Sequence, residues 1–258
     1  MGRRGPPMDF QQLMPMTKFV KALMISNVVI WFVATVIVEQ YFLKAPYITE
    51  YLGLTPLHVI RDFFIWQPFT YLFIHSVNPL HIIFNMLLLW WVGSQLERLW
   101  GTKFFALFYF VSGVGAAVLY MVVALAYSII KGQPEVLTTP VVGASAALFG
   151  LLVAYGIYFG ETIVYFMFFF PMKAKYFVAV LGGIEVVMVL NNGLIQGKVA
   201  NLAHVGGLIS GYLFLKIWPY FKGGGQGGLR SKKTRQSKLK LVVNNDGFTD
   251  QEKPKYWN

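Results

Sequence analysis

Residues 104–130 of this chain are FFALFYFVSGVGAAVLYMVVALAYSII, an apolar run without a charged side chain. A helix needs roughly 20 such residues to cross about 30 Å of hydrocarbon, and this run is longer than that. Further apolar runs occupy much of the chain on either side of it. The sequence therefore predicts an all-α, polytopic membrane protein.

The composition favours the same class of protein. The chain has 258 residues, of which 56% are hydrophobic and 13% are charged. A soluble domain of this length needs far more charge to cover its surface. Because cysteine is absent, a disulfide framework and a thiolate metal site are excluded. The first residues, MGRRGPPMDFQQL, lack an apolar core with a cleavage site, so we expect no removable signal peptide.

Apolar segments predict where the chain crosses the membrane. Six spans are expected, at about 21–42, 79–96, 104–130, 142–160, 174–190 and 202–221. Residues 43–74 contain prolines, glycine and charges among aromatic residues that suit a bilayer interface, which indicates a membrane-associated loop after the first span. Residues 162–170 are apolar but too short to cross.

Basic residues are distributed unevenly around these spans. Of 22 lysines and arginines, 18 lie on the side that holds both termini and 4 on the other side. The positive-inside rule then predicts that both termini are cytoplasmic. The chain divides into a cytoplasmic N-terminal segment (1–20), a six-span domain (21–221) and a basic, flexible cytoplasmic tail (222–258). The tail lacks interleaved aromatic platforms, so its charge predicts attraction to anionic lipid rather than nucleic-acid binding.

Ser145 lies in GASAALFG, residues 143–150, where the fourth apolar segment begins. From Ser145 to Tyr158 a helix covers only about 20 Å, so we expect the serine below the outer surface, in a water-filled cavity. The N-terminus of that helix offers unpaired N–H groups and a positive dipole end, which suit an oxyanion. Gly143 permits a tight approach to the serine. Taken alone, a serine here is more often a packing or capping residue.

His204 lies in NLAHVGGLISG, residues 201–211, in the last apolar segment. An imidazole in hydrocarbon costs free energy unless it has a role there. Gly207 and Gly211 follow on a face that permits close helix approach. A comparable small-residue face on the fourth segment comprises Gly143, Ala147, Gly150 and Ala154. Packing of the two faces would bring Ser145 and His204 within hydrogen-bond reach, as a nucleophile and its base. A structural polar contact is the alternative.

His81 and Asn85 are four residues apart on the second segment and share a helical face. Both donate hydrogen bonds, so together they predict an oxyanion hole at the serine, with interhelical hydrogen bonding as the alternative. The role of His75 is left open. A metal site from His75, His81 and His204 is disfavoured, because HExxH is absent and asparagine is a poor zinc ligand.

Three motifs in this order resemble the rhomboid family of intramembrane serine proteases. They are HIIFN (81–85), GASAALFG (143–150) and AHVGGLISG (203–211), and the resemblance covers about residues 20–220. It implies a six-transmembrane-helix rhomboid bundle with a short fourth helix and a membrane-associated loop after the first span. We place the protein in a bacterial inner membrane, and its oligomeric state stays open.

The resemblance also implies roles for individual residues. Ser145 is the nucleophile and His204 its base, in a Ser–His dyad that needs no metal or organic cofactor. His81, Asn85 and the backbone N–H of Ser145 are the oxyanion donors. Supporting positions are Gly143, Gly207 and Phe149, whose ring stacks on the histidine. Ala146 stands where active members often have glycine, a small change that is expected to tighten the cavity.

The expected reaction is cleavage of peptide bonds in or near transmembrane segments of membrane protein substrates. The aspartates lie outside the predicted spans, so the acid of a conventional triad is missing. Glu185, in the fifth segment, is a functional candidate, although a neutral or hydrogen-bonded structural role is favoured. The alternative is a catalytically inactive rhomboid-like protein that binds membrane clients. A transporter is disfavoured, because the sequence has no internal repeat.

Overall fold

The computed structural model describes residues 16–166, 169–192 and 199–221. The chain divides into two units, Met1–Trp218 and Pro219–Asn258. The predicted basic tail and most of the predicted N-terminal segment lie outside the described residues. The helices are α1 Lys18–Leu43, α2 Tyr47–Leu52, α3 Pro56–Arg61, α4 Gln67–Thr70, α5 Pro79–Trp100, α6 Thr102–Lys131, α7 Ser145–Tyr158, α8 Ala174–Asn192 and α9 Val199–Phe221. Two strands, β1 Ile163–Phe166 and β2 Phe170–Lys173, form an antiparallel hairpin.

Long apolar helices make this an integral, multi-pass membrane protein. Within the described residues, four helices are long and apolar enough to cross a bilayer: α1, α5, α6 and α8. The apolar helix α7 has 14 residues and is shorter. Many large apolar side chains on these helices are exposed, as suits surfaces that face lipid rather than water.

The ends of α1, α5 and α6 are joined at one buried carboxylate, that of Glu97. It accepts hydrogen bonds from the backbone N–H groups of Phe19 (3.2 Å) and Val20 (3.0 Å) and from the hydroxyl of Thr17. The Thr102 hydroxyl donates to the same side chain at 2.7 Å. Because the first N–H groups of a helix lack intrahelical partners, Glu97 completes the N-terminus of α1 and stabilises the three-helix junction.

Small residues let α6 pack closely against its neighbours. A Cβ atom built on Gly113 would lie 2.7 Å from the Leu72 side chain and 3.3 Å from Cβ of Ala147 in α7. The Ser210 hydroxyl of α9 donates to the Ser112 carbonyl of α6 at 2.7 Å. Close approach and interhelical hydrogen bonds stabilise helix pairs in lipid, where hydrophobic burial between helices adds little. Ala147, which the sequence placed on the face toward α9, lies against Gly113 of α6.

The segment between α1 and α5 is folded rather than extended. Glu39 of α1 accepts 2.8 Å hydrogen bonds from the backbone N–H and the hydroxyl of Thr49 in α2. Gln67 accepts from the Thr55 N–H at 2.9 Å, and the Tyr71 hydroxyl donates to the Gly113 carbonyl of α6 at 2.7 Å. These contacts attach the segment to the helices, and they hold Tyr71 next to the turn that precedes α7.

The connection from α7 to α8 contains a β-hairpin that the sequence did not predict. Ile163 of β1 pairs with Lys173 of β2, in the region expected only to be apolar and too short to cross. At its base Glu161 contacts Lys173 (2.8 Å) and Lys175 (2.5 Å). The two ammonium groups lower the pKa of the exposed Glu161 carboxyl to about 2. The helices on either side begin at Ser145 and Ala174, close to the predicted bounds.

Candidate active site

Ser145 and His204 lie on different helices and meet in the structure. Ser145 is the first residue of α7, and its Oγ lies 2.7 Å from Nε2 of His204 in α9. Phe149, one turn after the serine, stacks on the imidazole with ring centroids 4.4 Å apart and an interplanar angle of 17°. Both polar side chains are partly buried. The serine hydroxyl is therefore hydrogen-bonded to an imidazole whose ring plane is held by an aromatic neighbour.

Glycines on α9 allow this contact. A Cβ atom built on Gly207 would lie 1.9 Å from the Ala146 carbonyl oxygen, and one on Gly211 would lie 2.7 Å from Cα of Gly150. Real Cβ atoms do not approach other atoms so closely, so the backbones of α7 and α9 touch only because these positions lack side chains. The predicted glycine face on α9 does pack against α7, and its partners there are Ala146 and Gly150.

The turn before α7 is held by the segment that precedes α5. Gly143 has φ +121°, a conformation that favours glycine, and its N–H donates to the Tyr71 carbonyl at 2.9 Å. The Ala144 N–H approaches Nε2 of the fully buried His75 at 3.5 Å. Burial and the nearby His81 lower the pKa of His75 to about 4, so this imidazole is neutral at physiological pH. His75, whose role the sequence left open, thus supports the turn that leads to Ser145.

The hydrogen bonds of His81 determine which of its nitrogens carries a proton. Its Nδ1 lies 3.2 Å from the backbone N of Ser76 and 3.0 Å from the Ser76 hydroxyl. Because the backbone N–H donates to Nδ1, that nitrogen is unprotonated and Nε2 carries the proton in the neutral ring. A Cβ atom built on Gly143 would lie 2.9 Å from Nε2 and 3.5 Å from the Ser145 Oγ. Glycine leaves this space beside both groups open.

Asn85 is buried one turn after His81 on α5. Its Nδ2 donates to the His81 carbonyl at 2.7 Å, which occupies one of the two N–H groups of the amide. Its Oδ1 has no hydrogen-bond partner in the described part of the chain. Asn85 therefore keeps a second N–H that can be offered to another acceptor.

Glu185 is a neighbour of His204 that the sequence did not pair with it. The Glu185 carboxylate of α8 lies 3.2 Å from Nδ1 of His204 and accepts a 2.6 Å hydrogen bond from the Asn201 amide of α9. The sequence predicted a neutral or hydrogen-bonded structural role for Glu185 and a dyad without an acid partner. An acid within an apolar helix was the available signal, because such a group is costly in lipid unless it has a partner.

Across residues 16–166, 169–192 and 199–221, the structure contains no group of three or more His, Asp or Glu side chains that could hold a metal ion.

Comparison with known proteins identifies the family. Residues 63–220 match the family described as the Rhomboid domain, and this match covers more than half of the chain. The chain belongs to the rhomboid family. Every residue of the candidate site, from His81 to Gly207, lies within the matched range of this rhomboid domain, and so does Glu185.

Several curated proteins are similar to this rhomboid chain. "Rhomboid protease GluP" of Bacillus subtilis (strain 168) is 27% identical over 150 residues, which cover 57% of this chain and 25% of that protein. "RHOMBOID-like protein 1" of Arabidopsis thaliana is 31% identical over 155 residues, 60% of this chain and 35% of the relative. "Rhomboid protease AarA" of Providencia stuartii is 32% identical over 154 residues, 57% and 54% respectively. The rhomboid chain thus spans between a quarter and about half of these relatives.

Proposed function

We propose that this chain is an intramembrane serine endopeptidase that cleaves peptide bonds in or near the transmembrane segments of other membrane proteins. The observation that carries the proposal is the 2.7 Å contact between Ser145 Oγ and His204 Nε2 in a rhomboid domain. The names of two relatives, both called rhomboid proteases, support the same activity.

In the proposed reaction the two side chains share the proton transfers. Nε2 of His204 takes the Ser145 hydroxyl proton as the oxygen attacks the scissile carbonyl. The protonated imidazole then gives that proton to the leaving amine, and an acyl-enzyme remains on Ser145. Water, deprotonated by His204, releases the acyl group and restores the serine. These steps use only the side chains of the chain and water.

The tetrahedral intermediate needs donors directed at its oxyanion. We assign this role to Nε2–H of His81, the backbone N–H of Ser145 and the second amide N–H of Asn85. The Ser76 contact to Nδ1 favours a proton on Nε2 of His81, which supports its role as a donor. Gly143 leaves a space open that lies 2.9 Å from that nitrogen and 3.5 Å from Ser145 Oγ. This space suits the oxyanion, because the oxyanion and Ser145 Oγ are bonded to the same carbon of the tetrahedral intermediate.

The proposed membrane arrangement has six spans. α7 and α9 complete the bundle formed by α1, α5, α6 and α8, in a domain at 21–221 with both termini in the cytoplasm of a bacterial cell. Because α7 covers only about 20 Å, its N-terminus lies below the outer surface of the lipid. Water must reach Ser145 at that depth, and a cavity open to the outside would supply it.

A transmembrane substrate must lose local helical structure before it is cut. In an intact helix the carbonyl groups are hydrogen-bonded and covered by neighbouring turns. The rhomboid resemblance therefore implies preference for small or helix-breaking residues near the cleaved bond.

The proposal is tested with protein purified in detergent and given a transmembrane substrate and a fluorophosphonate probe. We expect wild type and the control Ser128→Ala to cleave the substrate and react with the probe, and Ser145→Ala to do neither. His204→Ala is expected to lose cleavage while remaining folded. Full activity of Ser145→Ala or His204→Ala, or an unreactive wild type, contradicts the proposal.

A further inference from the structure

We infer that Glu185 is a positioning residue for His204, so that the site works as a Ser–His–Glu arrangement rather than as a dyad. The inference deepens the proposed function and rests on it. It starts from the placement of one Glu185 oxygen, Oε2, 3.2 Å from Nδ1 of His204, on the opposite side of the ring from Ser145.

The serine contact determines what Nδ1 of His204 requires. For the Ser145 hydroxyl to donate to Nε2, that nitrogen must present its lone pair. The proton of the neutral ring then sits on Nδ1. This nitrogen is buried, and within the described residues no group makes a well-aligned hydrogen bond to it. A buried donor without an acceptor is unfavourable. The Glu185 carboxylate, 3.2 Å away, is the group placed to accept a hydrogen bond from this Nδ1–H.

A second contact fixes the carboxylate. Asn201 lies almost one turn before His204 on α9, and its Nδ2 donates to the same Oε2 of Glu185 at 2.6 Å. The side chains of Glu185 and His204 are 14% and 17% exposed, so the pair is largely shielded from water. An acid in an apolar helix is costly unless it has partners, and here both partners belong to the helix that carries the histidine.

The chemistry explains why a carboxylate is useful at this position. When His204 takes the serine proton, the imidazole becomes positively charged. A carboxylate beside Nδ1 stabilises that charge and holds the ring in the tautomer that accepts from serine, and it does not itself take the proton. His81 is a further titratable side chain beside the serine, on the far side of the open space at Gly143, and His75 lies against the adjacent Ala144 N–H.

A purely structural tie between α8 and α9 makes different predictions from a positioning role. If Glu185 only joined the helices, its loss would lower stability or weaken substrate binding. If it positions His204, its loss lowers kcat and slows reaction of Ser145 with a small fluorophosphonate, with KM little changed.

The kinetic test compares Glu185→Gln and Glu185→Asp with the control Glu161→Gln, which removes an acid near the other end of α7. For Glu185→Gln we expect kcat and the rate of fluorophosphonate labelling to fall at least about tenfold at constant KM. Glu185→Asp keeps the carboxylate and is expected to recover part of both rates. Glu161→Gln should equal wild type. Rates of Glu185→Gln within about twofold of wild type overturn the inference.

A spectroscopic test does not depend on activity and so separates this inference from the proposed function. The chain has four histidines, and the Nδ1 proton of His204 is assigned by its absence from His204→Gln. We expect a strongly downfield Nδ1 proton resonance in wild type and in Ser145→Ala, and an upfield shift in Glu185→Gln. An identical resonance in wild type and Glu185→Gln overturns the inference. An inactive wild type that shows the expected shift overturns the proposed function alone.

Discussion

At the scale of single residues, the candidate site depends on the space beside Gly143. Two features restrict this position to glycine. Its φ is +121°, and a Cβ atom here would lie only 2.9 Å from Nε2 of His81. The first affects folding, because side chains disfavour positive φ. The second affects chemistry, because the same point lies beside Ser145 Oγ.

These two effects are separated by comparing Gly143→Ala with Gly132→Ala. Gly132 also has a positive φ, +64°, but a Cβ atom there meets nothing within 4 Å. Both variants should unfold at a lower temperature: Gly132→Ala by a cost of about 1 kcal/mol, and Gly143→Ala by more, because its Cβ atom also meets His81. Only Gly143→Ala should lose cleavage, by about a hundredfold or more, because it fills the proposed oxyanion site. Equal activity of the two variants in a cleavage assay would contradict that assignment.

His75 predicts how stability depends on pH. Its pKa is lowered to about 4 by burial and by His81, against about 6.5 in an unfolded chain, so the folded protein binds fewer protons between these values. The contribution of neutral His75 to the free energy of unfolding is therefore complete above about pH 6.5. It is lost as the pH falls towards 4, and the loss amounts to about 3 kcal/mol. Thermal unfolding in detergent should show this fall, and His75→Gln should flatten it. If the stability of His75→Gln fell equally steeply with pH, the pH dependence would belong to other groups and not to His75.

At the scale of helices, the contact between α7 and α9 determines whether serine and histidine meet. Gly207→Ala places a Cβ atom 1.9 Å from the Ala146 carbonyl oxygen, so the helices must separate. Because Ser145 and His204 lie on the two helices, we expect cleavage to fall by about a hundredfold and the unfolding temperature to drop.

The control for this change is Gly183→Ala on α8. A Cβ atom on Gly183 meets nothing within 4 Å, so this variant should keep full cleavage and at least the stability of wild type. If Gly207→Ala matched Gly183→Ala in both measurements, close packing of α7 on α9 would not be needed for the site.

The junction at Glu97 belongs to the same scale. Glu97→Ala leaves the N–H groups of Phe19 and Val20 and the hydroxyl of Thr102 without their acceptor. We expect a loss of about 1–3 kcal/mol in stability with little change in kcat at low temperature. Thermal unfolding and cleavage assays measure the two quantities, with the exposed Glu135→Gln as control. A large loss of kcat without a loss of stability would contradict this structural role.

At the scale of the whole molecule, the membrane orientation is testable because the chain has no cysteine. Glu135 lies between α6 and α7 and Glu161 between α7 and α8, and both are exposed. With six spans and cytoplasmic termini, Glu135 faces outward and Glu161 faces the cytoplasm. A membrane-impermeant maleimide on intact cells should label Glu135→Cys and spare Glu161→Cys. Labelling of Glu161→Cys but not of Glu135→Cys would contradict the proposed topology.

Much of the helical framework was predictable from the sequence, because apolar length is a local property. The helices that begin at Pro79, Ser145 and Ala174 start within a few residues of the predicted segments. The hairpin after α7 was not predictable in this way, since its pairing joins residues with no alternating pattern. The membership of the rhomboid family was correctly predicted from the three motifs.

The class of protein, its family and the two side chains that lie 2.7 Å apart were all predictable from the sequence, because motif spacing and small-residue faces are properties of single helices. Their catalytic roles remain a prediction. Three findings required the packed helices: Glu185 lies beside His204, His75 supports the turn before Ser145, and Ala147 lies against α6. The direction in which a side chain points between helices depends on how three helices pack together, and no single segment contains that information.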